Sequence, residues 1–254
     1  MKTIGLFGLF CLAAATQTTA DVPLLIRVQR TPGIGTASAV PYAEAKVGVP
    51  VLGMTSLTGL SETWLIETHA SFESIEQVDA ALWPAGTRHV EALAAGLSPD
   101  EILSASRSWI ALYRPWLSYR VDEAMQGLPL AHYFEISLYR IQPGKEGDFA
   151  DFIAARKTAK DSVNMDRAEI AYQVISGAPP QTFIFLAPLH SLSSLDEGLP
   201  RLPVYARPAA KAAGKIAAEA EFRSEEMLFR VAPDLSYVSD EFSAPDRGFW
   251  RGSQ

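Results

Sequence analysis

The sequence predicts an α+β fold in which one β-α-β-β-α-β unit occurs twice, and three observations carry that prediction. The first is a repeat. Arg107-Ser-Trp-Ile-Ala-Leu-Tyr-Arg114 is followed by Leu117-Ser-Tyr119 and Asp122-Glu123, and Arg223-Ser-Glu-Glu-Met-Leu-Phe-Arg230 by Leu235-Ser-Tyr237 and Asp240-Glu241. A pattern that returns with its order intact marks an internal duplication. Second, each half opens on an alternating run that a Pro-Gly pair breaks, Leu24 to Arg30 before Pro32-Gly33 and His132 to Arg140 before Pro143-Gly144. Third, apolar stripes at helical spacing fall at matching places, Phe72, Ile75, Val78 and Leu82 in one half and Phe149, Phe152 and Ile153, with Arg156, in the other. Both halves therefore read as tandem ferredoxin-like units. The expected divisions are a first unit over 21–123, a linker over 124–130, a second unit over 131–241 and a tail over 242–254.

In chain order, Met1-Lys2 precedes an apolar run from Ile4 to Ala15 and small residues at Thr18 and Ala20. That is the pattern of a secretory signal over 1–20, cleaved after Ala20, and implies an exported, periplasmic or secreted protein. The run is too short to span a membrane, which takes about 20 residues. The single cysteine, Cys11, lies within it, so a mature chain has no thiol, disulfide or cysteine metal site. Leu24 to Arg30 is the first strand, and Ala37 to Val47 a short helix with Pro41 near its start. Strands at Val51–Thr58 and Thr63–His69 flank the turn Gly59-Leu-Ser-Glu62, and Ser71 caps the next helix. A further helical piece reaches Leu93, Ser98-Pro99 starts another, and the repeated strand from Ser108 to Tyr113 closes the half.

The second half expects strands at His132–Arg140, Glu169–Ser176, Thr182–Ala187 and Glu225–Val231. Helices are expected at Lys145–Ser162 and Pro208–Ala220. The tail from Phe242 shows no periodicity and is expected to drape or fray. Apolar residues make up 48% of the chain and the net charge is −7, which predicts a globular protein rather than a disordered one. With no long basic run, phosphate neutralisation and hence a nucleic-acid partner are excluded. No later stretch is apolar enough to span a membrane.

The segment Tyr133-Phe-Glu135-Ile-Ser-Leu-Tyr139-Arg140-Ile-Gln-Pro143-Gly144-Lys145, with Phe149 beyond it, resembles the NIPSNAP family pattern. The first half departs from it, with Arg27 where Ser137 stands and no Lys after Pro32-Gly33. The resemblance implies the dimeric α+β barrel superfamily: two sheets face to face with a cavity between them, as one barrel in a single chain or half of a homodimer. It implies no set of catalytic residues and no cofactor, although haem-handling members of the superfamily keep haem as a secondary reading.

Strand alternation assigns side chains to faces. If the apolar phase meets the helices, Phe134, Ile136 and Leu138 are core, and Tyr133, Glu135, Ser137 and Tyr139 face the cavity. By the same rule Arg27, Gln29, Glu67 and His69 face inward, and Arg114 and Arg230 of the repeated strands join them. In an enzyme, His69 or Glu135 would serve as base and Arg27 would hold an anion. The plainer reading makes Glu67, Glu135, Arg114 and Arg230 ion pairs that satisfy one another, and recurrence of the two arginines favours a structural duty. Trp64, Trp109, Tyr113, Trp116, Tyr133 and Tyr139 read mainly as packing, or in part as a surface for an aromatic ligand.

His69, His89, His132 and His190 show no helical zinc spacing, and no metal site is expected. His69 and His190 fall at equivalent strand ends and could approach each other. Asp122-Glu123 and Asp240-Glu241 read as solvated pairs. Without a nucleophile elbow, P-loop or dinucleotide fingerprint, serine hydrolases, NTPases and dinucleotide enzymes lose their support. The leading expectation is a binding protein for a small, partly aromatic molecule or a protein partner. The alternative is a cofactor-independent monooxygenase or isomerase-like enzyme that uses the cavity.

Overall fold

A computed structural model describes residues 22–35, 40–82, 107–162, 167–196 and 208–252. The signal segment with Cys11, the helical pieces expected between 84 and 101, and His89 lie outside these residues. The first half contains β1 (Leu25–Pro32), α1 (Val40–Glu44), β2 (Val51–Ser56), β3 (Glu62–His69), α2 (Phe72–Leu82) and β4 (Arg107–Tyr113). Helix α3 (Val121–Gly127) and a 3-10 turn over Leu128–Leu130 occupy the expected linker. The second half contains β5 (Tyr133–Arg140), α4 (Glu146–Asp161), β6 (Ile170–Ser176) and β7 (Thr182–Leu189). It continues with α5 (Ser193–Asp196), α6 (Pro208–Glu219) and β8 (Arg223–Val231). The tail folds into α7 (Asp240–Ser243) and α8 (Arg247–Arg251), with Trp250 buried, so it docks rather than frays.

Every strand pairs antiparallel with two neighbours, and the eight close into one barrel in the order β1-β3-β2-β8-β5-β7-β6-β4. Within each half the strands lie fourth, first, third, second: β4-β1-β3-β2 and β8-β5-β7-β6. The barrel thus closes within a single chain, which settles the choice between an internal barrel and half of a shared one.

An eight-stranded barrel is just wide enough for side chains to fill it. Here the filling is apolar: Ile26, Val28, Met54, Trp64, Ile66, Trp109, Phe134, Ile136, Leu138, Tyr172, Ile184 and Phe229 belong to one buried cluster drawn from both sheets. Trp64 sits 4.8 Å from Phe229 and 6.0 Å edge-on from Trp109. Arg30 shares this phase, its guanidinium 4.7 Å from the Trp64 ring and 4.6 Å from Trp109, and Glu62 accepts its hydrogen bonds at 2.7–3.0 Å.

The facing expected from sequence is therefore reversed. Phe134, Ile136 and Leu138 point into the barrel, and Tyr133, Glu135, Ser137 and Tyr139 stand on its outer face, as do Arg27, Gln29, Glu67 and His69. The expectation assumed that the most apolar phase meets the helices. A closed barrel instead puts that phase where no water enters and leaves the mixed phase beneath the amphipathic helices.

The repeated motif explains how the ring shuts. The fourth strands, β4 and β8, carry its first arm, and each Leu-Ser-Tyr docks on the second strand of the opposite half. Tyr119 bridges Glu169 just before β6, and Tyr237 bridges Val51 at the start of β2. Two residues further on, Ser118 Oγ accepts from the Ala171 backbone N–H at 2.9 Å and Ser236 Oγ from that of Gly53, also at 2.9 Å. Each hydroxyl also donates to a carbonyl behind it, of Arg114 at 3.0 Å and Ala232 at 2.8 Å. Gly53 suits this closeness, because a Cβ there would stand 2.4 Å from the Leu235 carbonyl oxygen. Asp122-Glu123 and Asp240-Glu241 follow as the acidic first turns of α3 and α7, where helix N-termini favour negative charge.

Removing either hydroxyl orphans a backbone N–H at a seam. Ser118→Ala and Ser236→Ala should each lower stability by about 1–3 kcal/mol. Urea midpoints measured against Ser162→Ala, at a helix end, check this; equal effects at all three positions would contradict the role of the seam.

Candidate functional site

The described residues enclose a cavity of about 390 Å³ between the outer face of the second sheet and helices α4 and α6. It exists because α6 presents Ala210, Ala213, Gly214 and Ala217 along one stripe, which is too short to fill the groove. The sheet supplies Glu135, Ser137 and Tyr139 from β5, Phe185 and Ala187 from β7, and Ser224 and Glu226 from β8. Helix α4 supplies Phe152, Arg156, Ala159 and Lys160, and Phe222, Arg167 and Glu169 complete the lining. The apolar floor is ordered by ring contacts, Tyr139 with Phe185 at 5.4 Å and with Phe152 at 5.6 Å. Burial pushes the Tyr139 phenol up to about 12, so it stays a neutral hydrogen-bonding group.

Three cations and three carboxylates line this space, incompletely paired. Lys160 Nζ lies 2.9 Å from Glu169 Oε2 and Arg156 Nη2 3.6 Å from the same oxygen, while Arg167 Nη1 donates to Glu135 at 3.3 Å. The Arg156 guanidinium lies 5.5 Å from the Tyr139 ring and 5.8 Å from Phe185. Arg156 Nη1 and Glu169 Oε1 are both buried without a hydrogen-bond partner among the described residues. Buried polar atoms are rarely left so, because each costs about 1–3 kcal/mol. Burial also lowers the Lys160 ammonium below the ordinary lysine range, with Glu169 opposing it.

The first half treats the corresponding space differently. Glu67 is fully buried; its carboxylate accepts from Arg27 Nε at 2.9 and 3.0 Å, from Gln29 at 2.9 Å, from the Tyr42 hydroxyl at 2.7 Å and from His69 Nε2 at 3.1 Å. Arg27 reaches on to Asp79 of α2, and His69 Nδ1 meets Ser74 Oγ at 3.0 Å. Burial alone would raise the Glu67 carboxyl, but hydrogen bonds from His69, Arg27 and Tyr42, with the Arg27 charge, outweigh it and hold it below the usual carboxylate range. Arg27 Nη2 also lies 2.7 Å from Glu67 Oε2, close enough for an ion pair, but is buried without a well-directed hydrogen bond. Among the described residues, His69 and Arg27 are both engaged with Glu67.

The expected constellation is thus divided. Glu135, Tyr139 and Ser137 line the cavity. Arg27, Gln29, Glu67 and His69 form the separate first-half network, and Arg114 donates to Gln173 Oε1 at 2.8 and 2.6 Å. Arg230 is exposed opposite Tyr133 in the β5–β8 register, away from the cavity lining. His69 and His190 do not pair: His190 packs against His132, with ring centroids 4.9 Å apart. Sequence reasoning missed Lys160, Arg167 and Glu169. The available signal was Arg156 inside the apolar stripe of α4, a charge that a buried helix face keeps only with partners.

The sequence matches no protein-family model, and no curated protein matches it. Solved structures do share the fold. An anthrone oxidase-like protein is 11% identical, with a TM-score of 0.50 over 84% of this chain and 93% of that one. A monooxygenase-like protein from Fusobacterium nucleatum is 9% identical, with a TM-score of 0.48 over 86% and 99%. A chlorite dismutase variant from Candidatus Nitrospira defluvii is 10% identical, with a TM-score of 0.47 over 89% and 96%. Identities this low show at most a shared fold, and only the first, at a TM-score of 0.50, supports one, with the eight-stranded α+β barrel of this chain closed within it.

Glu67 gives a pH test. A carboxyl held low in the folded state contributes stability that is present above its unfolded value near 4.5 and lost as pH falls through the folded value. Glu67→Gln should cost about 3–5 kcal/mol at pH 7. The gap between wild type and variant in urea midpoint should narrow from pH 7 towards pH 3; a gap that stays constant would contradict the assignment.

Proposed function

We propose that the protein binds a small aromatic anion in the cavity between the second sheet and helices α4 and α6. The observation that carries this reading is the pair of buried atoms without a partner among the described residues, Arg156 Nη1 and Glu169 Oε1, beside an aromatic floor. A guanidinium donates to a carboxylate or phenolate, and a carboxylate oxygen accepts from a hydroxyl. A ring carrying both an anionic group and a hydroxyl answers both atoms while its faces pack on Tyr139, Phe152 and Phe185. The volume lies at the small end of ligand pockets, which run about 300–1,000 Å³.

Calorimetry with 4-hydroxybenzoate as probe tests the reading. Binding should weaken at least about tenfold in Arg156→Met, equivalent to losing roughly 1.4 kcal/mol, and vanish in Gly214→Leu, which fills the groove from α6. No heat with wild type up to millimolar probe, or equal binding by Gly214→Leu, would overturn it.

A second reading is catalytic, a cofactor-independent oxygenase or isomerase-like enzyme acting on the bound ring. It is favoured by two ionisable groups at the cavity wall, the Glu135 carboxylate, which can accept a proton, and Lys160, whose ammonium burial makes readier to give one up. Oxygen uptake with anthrone as probe separates the two. Uptake abolished by Glu135→Gln with the fold intact supports catalysis; none in wild type leaves binding.

We also infer that the halves descend from one ferredoxin-like unit fused in tandem, supported by the fourth-first-third-second strand order in each. The NIPSNAP resemblance rests on Tyr133 to Lys145 and Phe149, and the exported location rests on the pattern of residues 1–20.

A further inference from the structure

Away from the cavity lining, three segments distant in sequence converge on one spot. His132 immediately precedes β5, held by its N–H to the Leu189 carbonyl at 3.0 Å and by its carbonyl to the Val231 N–H at 2.9 Å. His190 follows β7, and Asp246 ends the 3-10 turn over Ala244–Asp246. One nitrogen of each imidazole and one carboxylate oxygen all lie within 4.8 Å of one another. We propose that His132, His190 and Asp246 bind a divalent transition-metal ion, with zinc the best match.

The chemistry of each donor supports this. His190 Nδ1 is 2.9 Å from the Leu130 carbonyl oxygen, which can only accept. The proton therefore sits on Nδ1, and in the neutral ring Nε2 carries the free lone pair. A backbone carbonyl on the far nitrogen is the usual outer support of a metal-binding imidazole. The His132 ring lies flat against Phe249, with centroids 3.9 Å apart and planes 19° from parallel, which fixes its orientation. Its Nε2 is 2.7 Å from Asp246 Oδ2, and Asp246 Oδ1 accepts the Phe249 backbone N–H at 3.3 Å, which orients the carboxylate.

Ligands about 2.0–2.2 Å from a tetrahedral zinc stand roughly 3.3–3.6 Å apart. From 4.8 Å or less, binding would need His190 to turn inward and the ion to replace the proton shared by His132 and Asp246. Two neutral imidazoles and one carboxylate suit zinc and its first-row neighbours better than calcium or magnesium, which favour oxygen. His190 is exposed, so water has access to the fourth position. The ion would join the C-terminal tail to the starts and ends of the second-half strands.

The test uses untagged protein stripped with EDTA. It is titrated at pH 7.5 with zinc by calorimetry and with cobalt by visible absorption. One equivalent of zinc and a cobalt d–d band are expected, with a rise in thermal midpoint on adding zinc. His190→Ala leaves the His132–Asp246 pair in place, and it should weaken zinc at least about tenfold. Should that variant fold poorly by circular dichroism, His190→Gln keeps a polar side chain and gives the same reading. The proposal is overturned if zinc up to about 1 mM gives no heat, or if folded His190 variants bind as wild type does; the three residues would then be an ion pair and its neighbour only.

Discussion

Closure of the ring is the constraint on which everything else depends. A sheet bent into a barrel has no edges only if its last seams zip, and here the seams are short. Strand β2 meets β8 over Met54–Val231, Thr55–Arg230 and Ser56–Phe229, and β4 meets β6 across a register shift at Ile110/Ala111. The Leu-Ser-Tyr arms reinforce both, each extending one half's last strand onto the other half's second. Exposed strand edges invite pairing with other chains, and these two serines and two tyrosines pair the backbone at both seams. Closing the ring also decides which side chains go where: the dry interior takes Trp64, Phe134 and Phe229, with the Arg30–Glu62 pair, and the charged candidates Arg27, Glu67, His69 and Glu135 are displaced to the outer layer.

That outer layer is where the two halves part ways. In the first half, Tyr42, Arg27, Gln29 and His69 saturate the Glu67 carboxylate, and α2 lies over them. In the second half, α6 lays alanine and glycine over the sheet, and among the described residues the charges beneath it stay partly unpaired. One architecture thus carries a dense ion-pair network on one side and a partly charged hollow on the other. Among the described residues, the two buried carboxylates differ in the count of donors available to each.

Much of this was readable from residue order. The strands at 51, 133, 170 and 182 and helices α4 and α6 fall within a residue or two of where alternation and 3.6-residue spacing put them, because those patterns report burial directly. The repeat located the equivalent strands. Facing was misjudged: alternation divides a strand into two phases without saying which faces a barrel, and Arg30 in phase with Ile26 and Val28 was the available clue. The cavity could not be read, since it is defined by what α6 lacks. The meeting of His132, His190 and Asp246 spans more than a hundred residues and depends on the tail docking through Trp250, whose indole N–H donates to the Pro129 carbonyl at 2.7 Å. No local spacing encodes such a meeting.

The exchange of arms between halves bears on how the chain comes apart. A duplicated protein whose copies each keep their own core can melt in two steps, one copy at a time. Here the interior is shared by both sheets, and each half's closing segment is anchored on the other. Loosening either half strips the other of its seam and opens a common interior to water. The two halves should therefore unfold as one cooperative unit, whatever symmetry the sequence shows.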